Sequence, residues 1–221
     1  MCGRYELNAT PLEFGNHFGG LLANTQPLAG LPTSYNIPPS TAQPVIRYGK
    51  TDGANIVDLL AWGFRPTWAK RAWINARVET LFTNTAFRES ASKRRCLVIA
   101  TGWYEWQQTE PKRKVPFYVH LDRPFAFAGI WTARKVGDVW EKSFAIVTAP
   151  ASPTLARIHD RMPLVMHPSN YAPWLDPRTD RPADLTRPFD NGALEAYPVS
   201  TYVNDPKNNS MEAVRRAAGD E

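Results

Sequence analysis

Residues 94–108 read RRCLVIATGWYEWQQ, and the fold turns on how this run is read. Rich in β-branched and aromatic residues and free of proline, it has the composition of a strand. Other runs with strand composition surround it, three of them with a proline at or near the start: PVIRYG (44–49), NIVDLLAWGF (55–64), VPFYVHL (115–121), PFAFAGIWTAR (124–134) and VWEKSFAIVTA (139–149). Between them stand KTDGA (50–54), TEPKRK (109–114), LDRP (121–124) and KVGD (135–138), whose Gly, Pro and Asp are turn residues. Consecutive strands on such short connections pair antiparallel. The expectation is an α+β fold, a single domain with a curled, barrel-like, mostly antiparallel β core flanked by short helices.

The flanks are read from local signals. TPLE (10–13) is a capping box with Pro11 at the first helical position, and Phe14 and Phe18 then share one face at a spacing of four. Further short helices are expected around 79–89, 152–158 and 169–175. From 19 to 44 the chain is rich in Pro, Gly and small polar residues, including YNIPPSTAQP, and reads as an irregular wrapping loop. The folded domain is placed at 2–206. Residues 207–221 are polar and charged and are expected to form a flexible tail.

A chain of 221 residues is long enough for one substantial core. Lys and Arg number 26 against 21 Asp and Glu, a formal charge of +5 that gives a modest pull on anionic partners. With only Cys2 and Cys96, and no charged-then-apolar leader, a disulfide framework and export are not expected, nor is any apolar run long enough for a bilayer. A cytoplasmic monomer with reduced thiols is expected. The four histidines fall at no metal-ligand spacing with one another or with the cysteines, so neither a metal nor another cofactor is expected.

Several segments carry chemistry. The chain begins MCGRY; removal of Met1 leaves Cys2 with a free α-amine and a thiol, two nucleophiles on one residue. In the strand around 94–108, two-residue alternation puts Ile99, Thr101, Trp103 and Glu105 on one face. A carboxyl among apolar neighbours has its pKa raised toward neutrality, where it can move protons, whereas at a strand end Glu105 points to water. INARVET (74–80) follows the tryptophan-rich, basic WGFRPTWAKRAW (62–73) and places Asn75 and Arg77 two apart. An amide beside a guanidinium suits an oxygen-rich ligand, and indoles offer stacking surfaces for unpaired bases; the same tryptophans could equally fill a core. His159 sits among Arg157, Asp160 and Arg161, as a proton donor or a structural residue.

Taken in order, MCGRY (1–5), WGF (62–64), INARVET (74–80), GWYEW (102–106) and IHDRMPL (158–164) closely resemble the SRAP family of abasic-site processing proteins, from Cys2 to about residue 204. The resemblance implies that Cys2 couples to DNA and that Asn75, Glu105 and His159 complete the active site. It implies that Arg4, Arg77 and Arg161 hold phosphates. The partner it implies is single-stranded DNA, or a single-strand to duplex junction, containing an abasic site. Self-removal of Met1 and weak lyase activity come with it. Where some members carry a tryptophan pair after a glycine, this chain has RPTWAK, leaving Trp68 alone for stacking or wedging.

The resemblance gives the terminus its mechanism: the α-amine forms a Schiff base with the sugar aldehyde, and the thiol closes a thiazolidine. Three other classes compete. Class II glutamine amidotransferases also begin MCG, a papain-like protease would use Cys2, His159 and Asn75, and a binding module would make the terminus incidental. GWYEW, INARVET and IHDRMPL do not resemble the glutamine-binding segments of the first, and CGRYEL (2–7) reads as a strand rather than the helix start that the second needs.

Overall fold

A computed structural model describes residues 2–111, 113–179, 181–187 and 192–217. Its strands are β1 (Tyr5–Leu7), β2 (Ser34–Ile37), β3 (Ala42–Gly49), β4 (Ala54–Trp62), β5 (Asn75–Arg77), β6 (Arg95–Glu110), β7 (Arg113–Val136), β8 (Val139–Pro150), β9 (Arg161–Pro163) and β10 (Glu195–Pro198). Short helices flank them: α1 (Pro11–Phe18), α2 (Gln26–Ala29), α3 (Arg88–Lys93), α4 (Pro153–Ala156) and α5 (Tyr171–Leu175).

All ten strands belong to one mostly antiparallel sheet. Hairpins join β3 to β4, β6 to β7 and β7 to β8, and β3 lies beside β6. A short parallel contact, Ala61 opposite Ser143 and Trp62 opposite Phe144, brings β4 to β8, so the sheet curls round its core as expected. Outside this curl, β1 lies on β6, β2 on β1 and β10 on β7, while β5 and β9 both pair with β8.

Aromatic side chains fill the curl and pin the start of the chain inside it. Tyr5 meets Trp62 edge-on at 5.2 Å between centroids, Trp62 stacks on Phe144 at 6.4 Å, and Trp103 meets Phe127 at 5.7 Å. Each such buried side chain stabilises by about 1.5–3 kcal/mol. Tyr5 also pairs with Trp103 across β1 and β6, which anchors the chain directly after Arg4. The predicted capping box of α1 is present: Thr10 Oγ1 accepts from the Glu13 amide at 3.3 Å and the Thr10 amide donates to the Glu13 carboxylate at 2.7 Å. Phe14 and Phe18 are buried, as their spacing predicts.

Four local expectations are corrected. LDRP does not end a strand, because both apolar runs around it pair with β6, and the register shift between Ala100 and Gly102 absorbs residues 121–124 as an excursion of β7. Gly102 at this shift lets the Tyr118 ring close in; a Cβ there would stand 2.4 Å from it. The helix expected over 79–89 is a single turn at Val78–Thr80, with α3 beginning only at Arg88; the Asn84 side chain takes the Ala86 amide at 2.8 Å, a local bond that competes with helix. The 19–44 segment contains α2 and β2, because the sheet edge left by β1 gives 34–37 a partner.

Finally, residues 207–217 do not fray. Asn36 Nδ2 donates to the Asn208 carbonyl at 2.7 Å, Tyr197 donates to the Val214 carbonyl at 2.9 Å, and Ala213 is buried with Tyr104, Tyr118, Val199 and Val203. That satellite cluster needs a lid on the outer face of β6, and this segment supplies it. Residues 218–221 lie outside the described residues.

Candidate active site at the amino terminus

The amino-terminal segment runs into the interior rather than away from it. Arg4 continues β1 by accepting the Tyr104 amide at 3.0 Å, and Cys2 is 0% exposed. β5 then brings up Asn75, held by parallel pairing opposite Ile146 of β8. Its Nδ2 donates to the Cys2 carbonyl at 2.8 Å, and its Oδ1 is buried with no hydrogen-bond partner among the described residues. An amide fixed at one end therefore presents a free acceptor at the other.

Glu105, on β6 two residues beyond Trp103, is 4% exposed, so the alternative in which it points to water does not hold. Burial pushes its carboxyl up to about 7. The Cys2 thiol is pushed well above its ordinary value by burial first and by the Glu105 charge second. The resting thiol is thus protonated, with a weak contact to the Arg4 carbonyl at 3.9 Å, and it needs a base to react.

His159 follows α4 on the far wall. Its Nδ1 accepts the Arg161 amide at 2.9 Å and lies 2.8 Å from Asp160 Oδ1. Burial lowers its pKa below the ordinary imidazole value, which favours the neutral ring. Glu105 and His159 line one open cleft of about 380 Å³, with Trp106, Lys114 and Asp160 on the same walls. Cys2, Asn75, Glu105 and His159 therefore converge from four separate parts of the chain.

The three arginines are placed differently. Arg77 is exposed on the strand that carries Asn75. Arg161 makes a two-pronged pair with Glu79 and donates to the Thr148 carbonyl at 2.8 Å. Arg4 donates from Nη1 to Asn36 Oδ1 at 2.8 Å and the Val203 carbonyl at 3.0 Å, which ties the start of the chain to its end. Trp68 stands apart, 63% exposed on the 64–73 loop, its ring 5.7 Å from that of Trp73. Among the described residues no three His, Cys, Asp or Glu side chains are grouped to hold a metal ion.

Sequence reading missed Asn36 and the pairing of Glu79 with Arg161. Glu79 has a local signal, an acid two positions after Arg77 in NARVET. Asn36 acts through Arg4, 32 positions away, and through carbonyls more than 160 positions away.

The family model for the SOS response associated peptidase, SRAP, matches residues 1–206. The chain belongs to the SRAP family. Among curated SRAP proteins, abasic site processing protein YoqW of Bacillus subtilis is 34% identical over 97% of this chain and 99% of its own, and abasic site processing protein YedK of Escherichia coli is 31% identical over the same shares. Two solved structures are similar. A phage-related protein of Bordetella bronchiseptica is 30% identical with a TM-score of 0.73, covering 90% of this chain and 94% of its own. A Bacteroides thetaiotaomicron protein, at 24% identity, shows the same fold with a TM-score of 0.82 over 98% of this chain and all of its own.

Proposed function

We propose that this SRAP protein captures abasic sites in single-stranded DNA, or at single-strand to duplex junctions, by forming a covalent bond through Cys2. The buried Cys2, its carbonyl held by Asn75 and its thiol in the field of Glu105, is the observation that carries this reading. A structural cysteine at a chain end has no need of a buried carboxylate beside it.

The chemistry follows from the groups present. Loss of Met1 frees an α-amine whose ordinary pKa of about 7.7–8.0 leaves a useful neutral fraction, against roughly 10.4 for lysine. The nitrogen attacks C1′ of the open-chain sugar aldehyde, and water leaves to give the imine. The Cys2 sulfur then adds to the imine carbon, its proton passing to the nitrogen, and a five-membered thiazolidine closes. The net loss is one water. Ring closure is intramolecular, which gives this thiol a large advantage over any free one.

Glu105, poised near 7, gives a proton to the departing hydroxyl as the imine forms and then, as the carboxylate, takes the thiol proton and passes it to the nitrogen. His159 donates from Nε2 to the ring oxygen as the sugar opens. The free Asn75 Oδ1 accepts from the amine or a sugar hydroxyl. Arg77 and, once released from Glu79, Arg161 contact phosphates, Arg4 supports the terminus, and Trp68 offers an exposed face for a base. The same Cys2 and Glu105 serve removal of Met1, and β-elimination from the imine gives weak strand cleavage.

A denaturing gel of protein mixed with an abasic oligonucleotide tests the proposal. A slower band is expected from the wild type and none from Cys2→Ala. Glutamine-dependent ammonia release that requires Cys2, with no such band, would establish an amidotransferase instead.

A further inference from the structure

A second cavity, of about 550 Å³, lies at the other end of β6. Arg95 on its wall and Glu105 are ten residues apart on that strand, about 30 Å at the usual rise. Its lining includes five cationic side chains, Arg47, Lys50, Lys93, Arg94 and Arg95, with the ring of Trp131 and no carboxylate. The end of β3, the junction of α3 with β6, and β7 bring them together.

The nearby carboxylates leave this charge largely uncompensated. Arg47 pairs with Asp58, but Lys142 shares the same carboxylate at 2.7 Å. Arg94 meets Glu89 at 3.1 Å, an acid that is 67% exposed and well screened. Arg95 is 3% exposed and gives four hydrogen bonds, all to main-chain carbonyls, those of Ala91, Ser92, Trp174 and Asp176. Carbonyls satisfy its N–H groups without neutralising it, and burial pulls its pKa down to about 10 against the opposing field of the Asp176 carboxylate, which is itself paired with Arg178. An anion in the cavity would relieve both effects.

The cavity also has a flat face. The Arg47 guanidinium lies over the Trp131 ring, 4.7 Å from its centroid, so cation and indole are layered on one another, a setting that a nucleobase can extend by stacking. Cations that grip phosphate beside a planar π surface select ligands with both parts.

We propose that this cavity is a second, noncovalent site for a nucleoside phosphate, with Lys50, Lys93 and Arg94 on the phosphates and Trp131 with Arg47 against the base. The ligand is a free nucleotide or one residue of a DNA strand, which share this chemistry.

Calorimetric titration of the full chain with adenosine 5′-diphosphate tests it, using adenosine and inorganic phosphate as controls. A Kd of about 1 mM or tighter is expected for the diphosphate, with at least tenfold weaker binding of both controls. The double variant Lys50→Glu, Lys93→Glu changes two exposed side chains and should weaken the diphosphate at least tenfold while leaving the Cys2 cross-link unchanged. If an undamaged single strand displaces the diphosphate, the strand is the occupant; if both bind together, it is the free nucleotide. No saturation by the diphosphate at several millimolar, or equal binding by the double variant, would overturn the site.

Discussion

The Asn75 side-chain amide donates to the main-chain carbonyl of Cys2 at 2.8 Å, across 73 residues of sequence. One hydrogen bond thereby fixes the residue on which the proposed chemistry rests. Asn75→Ala should slow cross-linking by at least tenfold and lower stability by about 1–3 kcal/mol, because the buried carbonyl loses its donor. Single-turnover gels and denaturant melts of the same variant measure the two effects separately.

Glu105 gives a pH signature with a definite sign. Its folded pKa, about 7, is above the ordinary carboxylate value, so between pH 4.5 and 7 the native state holds a proton that the unfolded state has lost. Its contribution therefore favours folding at low pH and declines as pH rises to 7, by on the order of 3 kcal/mol. Glu105→Gln should accordingly melt higher than wild type at pH 8 and show little difference at pH 4.5, while cross-linking falls at least a hundredfold. A melting temperature lowered at pH 8 would contradict the buried carboxyl.

His159 acts, in this account, on the closed form of the sugar. His159→Ala should slow capture of an abasic site by roughly 10²-fold or more, the usual worth of a positioned proton donor. Its effect on a simple open-chain aldehyde, which needs no ring opening, should be less than threefold. Parallel assays with the two electrophiles distinguish this role from a structural one.

Arg161 is paired with Glu79, and in the proposed complex that pair opens to phosphate. Glu79→Gln should tighten binding of an undamaged single strand about two- to fivefold at low salt and steepen the salt dependence by about 0.7, one released phosphate contact. Arg161→Ala should do the reverse. Fluorescence anisotropy across a salt series reads both.

The architecture was legible where pattern is local. Alternation in 94–108 and the turn residues between strands gave the curled sheet, and TPLE gave α1 with Phe14 and Phe18 inward. What was hidden depends on distant parts of the chain. Nothing near LDRP says that both flanking runs pair with the same strand, and nothing in 207–217 says that Tyr104 and Val203 lack a cover. In the site, residue types were readable but commitments were not: Arg4 and Arg161 both read as free cations, yet Asn36 and Glu79 already hold them.

The most direct test of the account is mass spectrometry of the intact protein after reaction with an abasic oligonucleotide, followed by mapping of the joined peptide. The account predicts a chain without Met1, an adduct equal in mass to protein plus oligonucleotide less one water, and attachment at Cys2 that borohydride does not alter. An adduct on a lysine, or one formed by a chain that retains Met1, would contradict it.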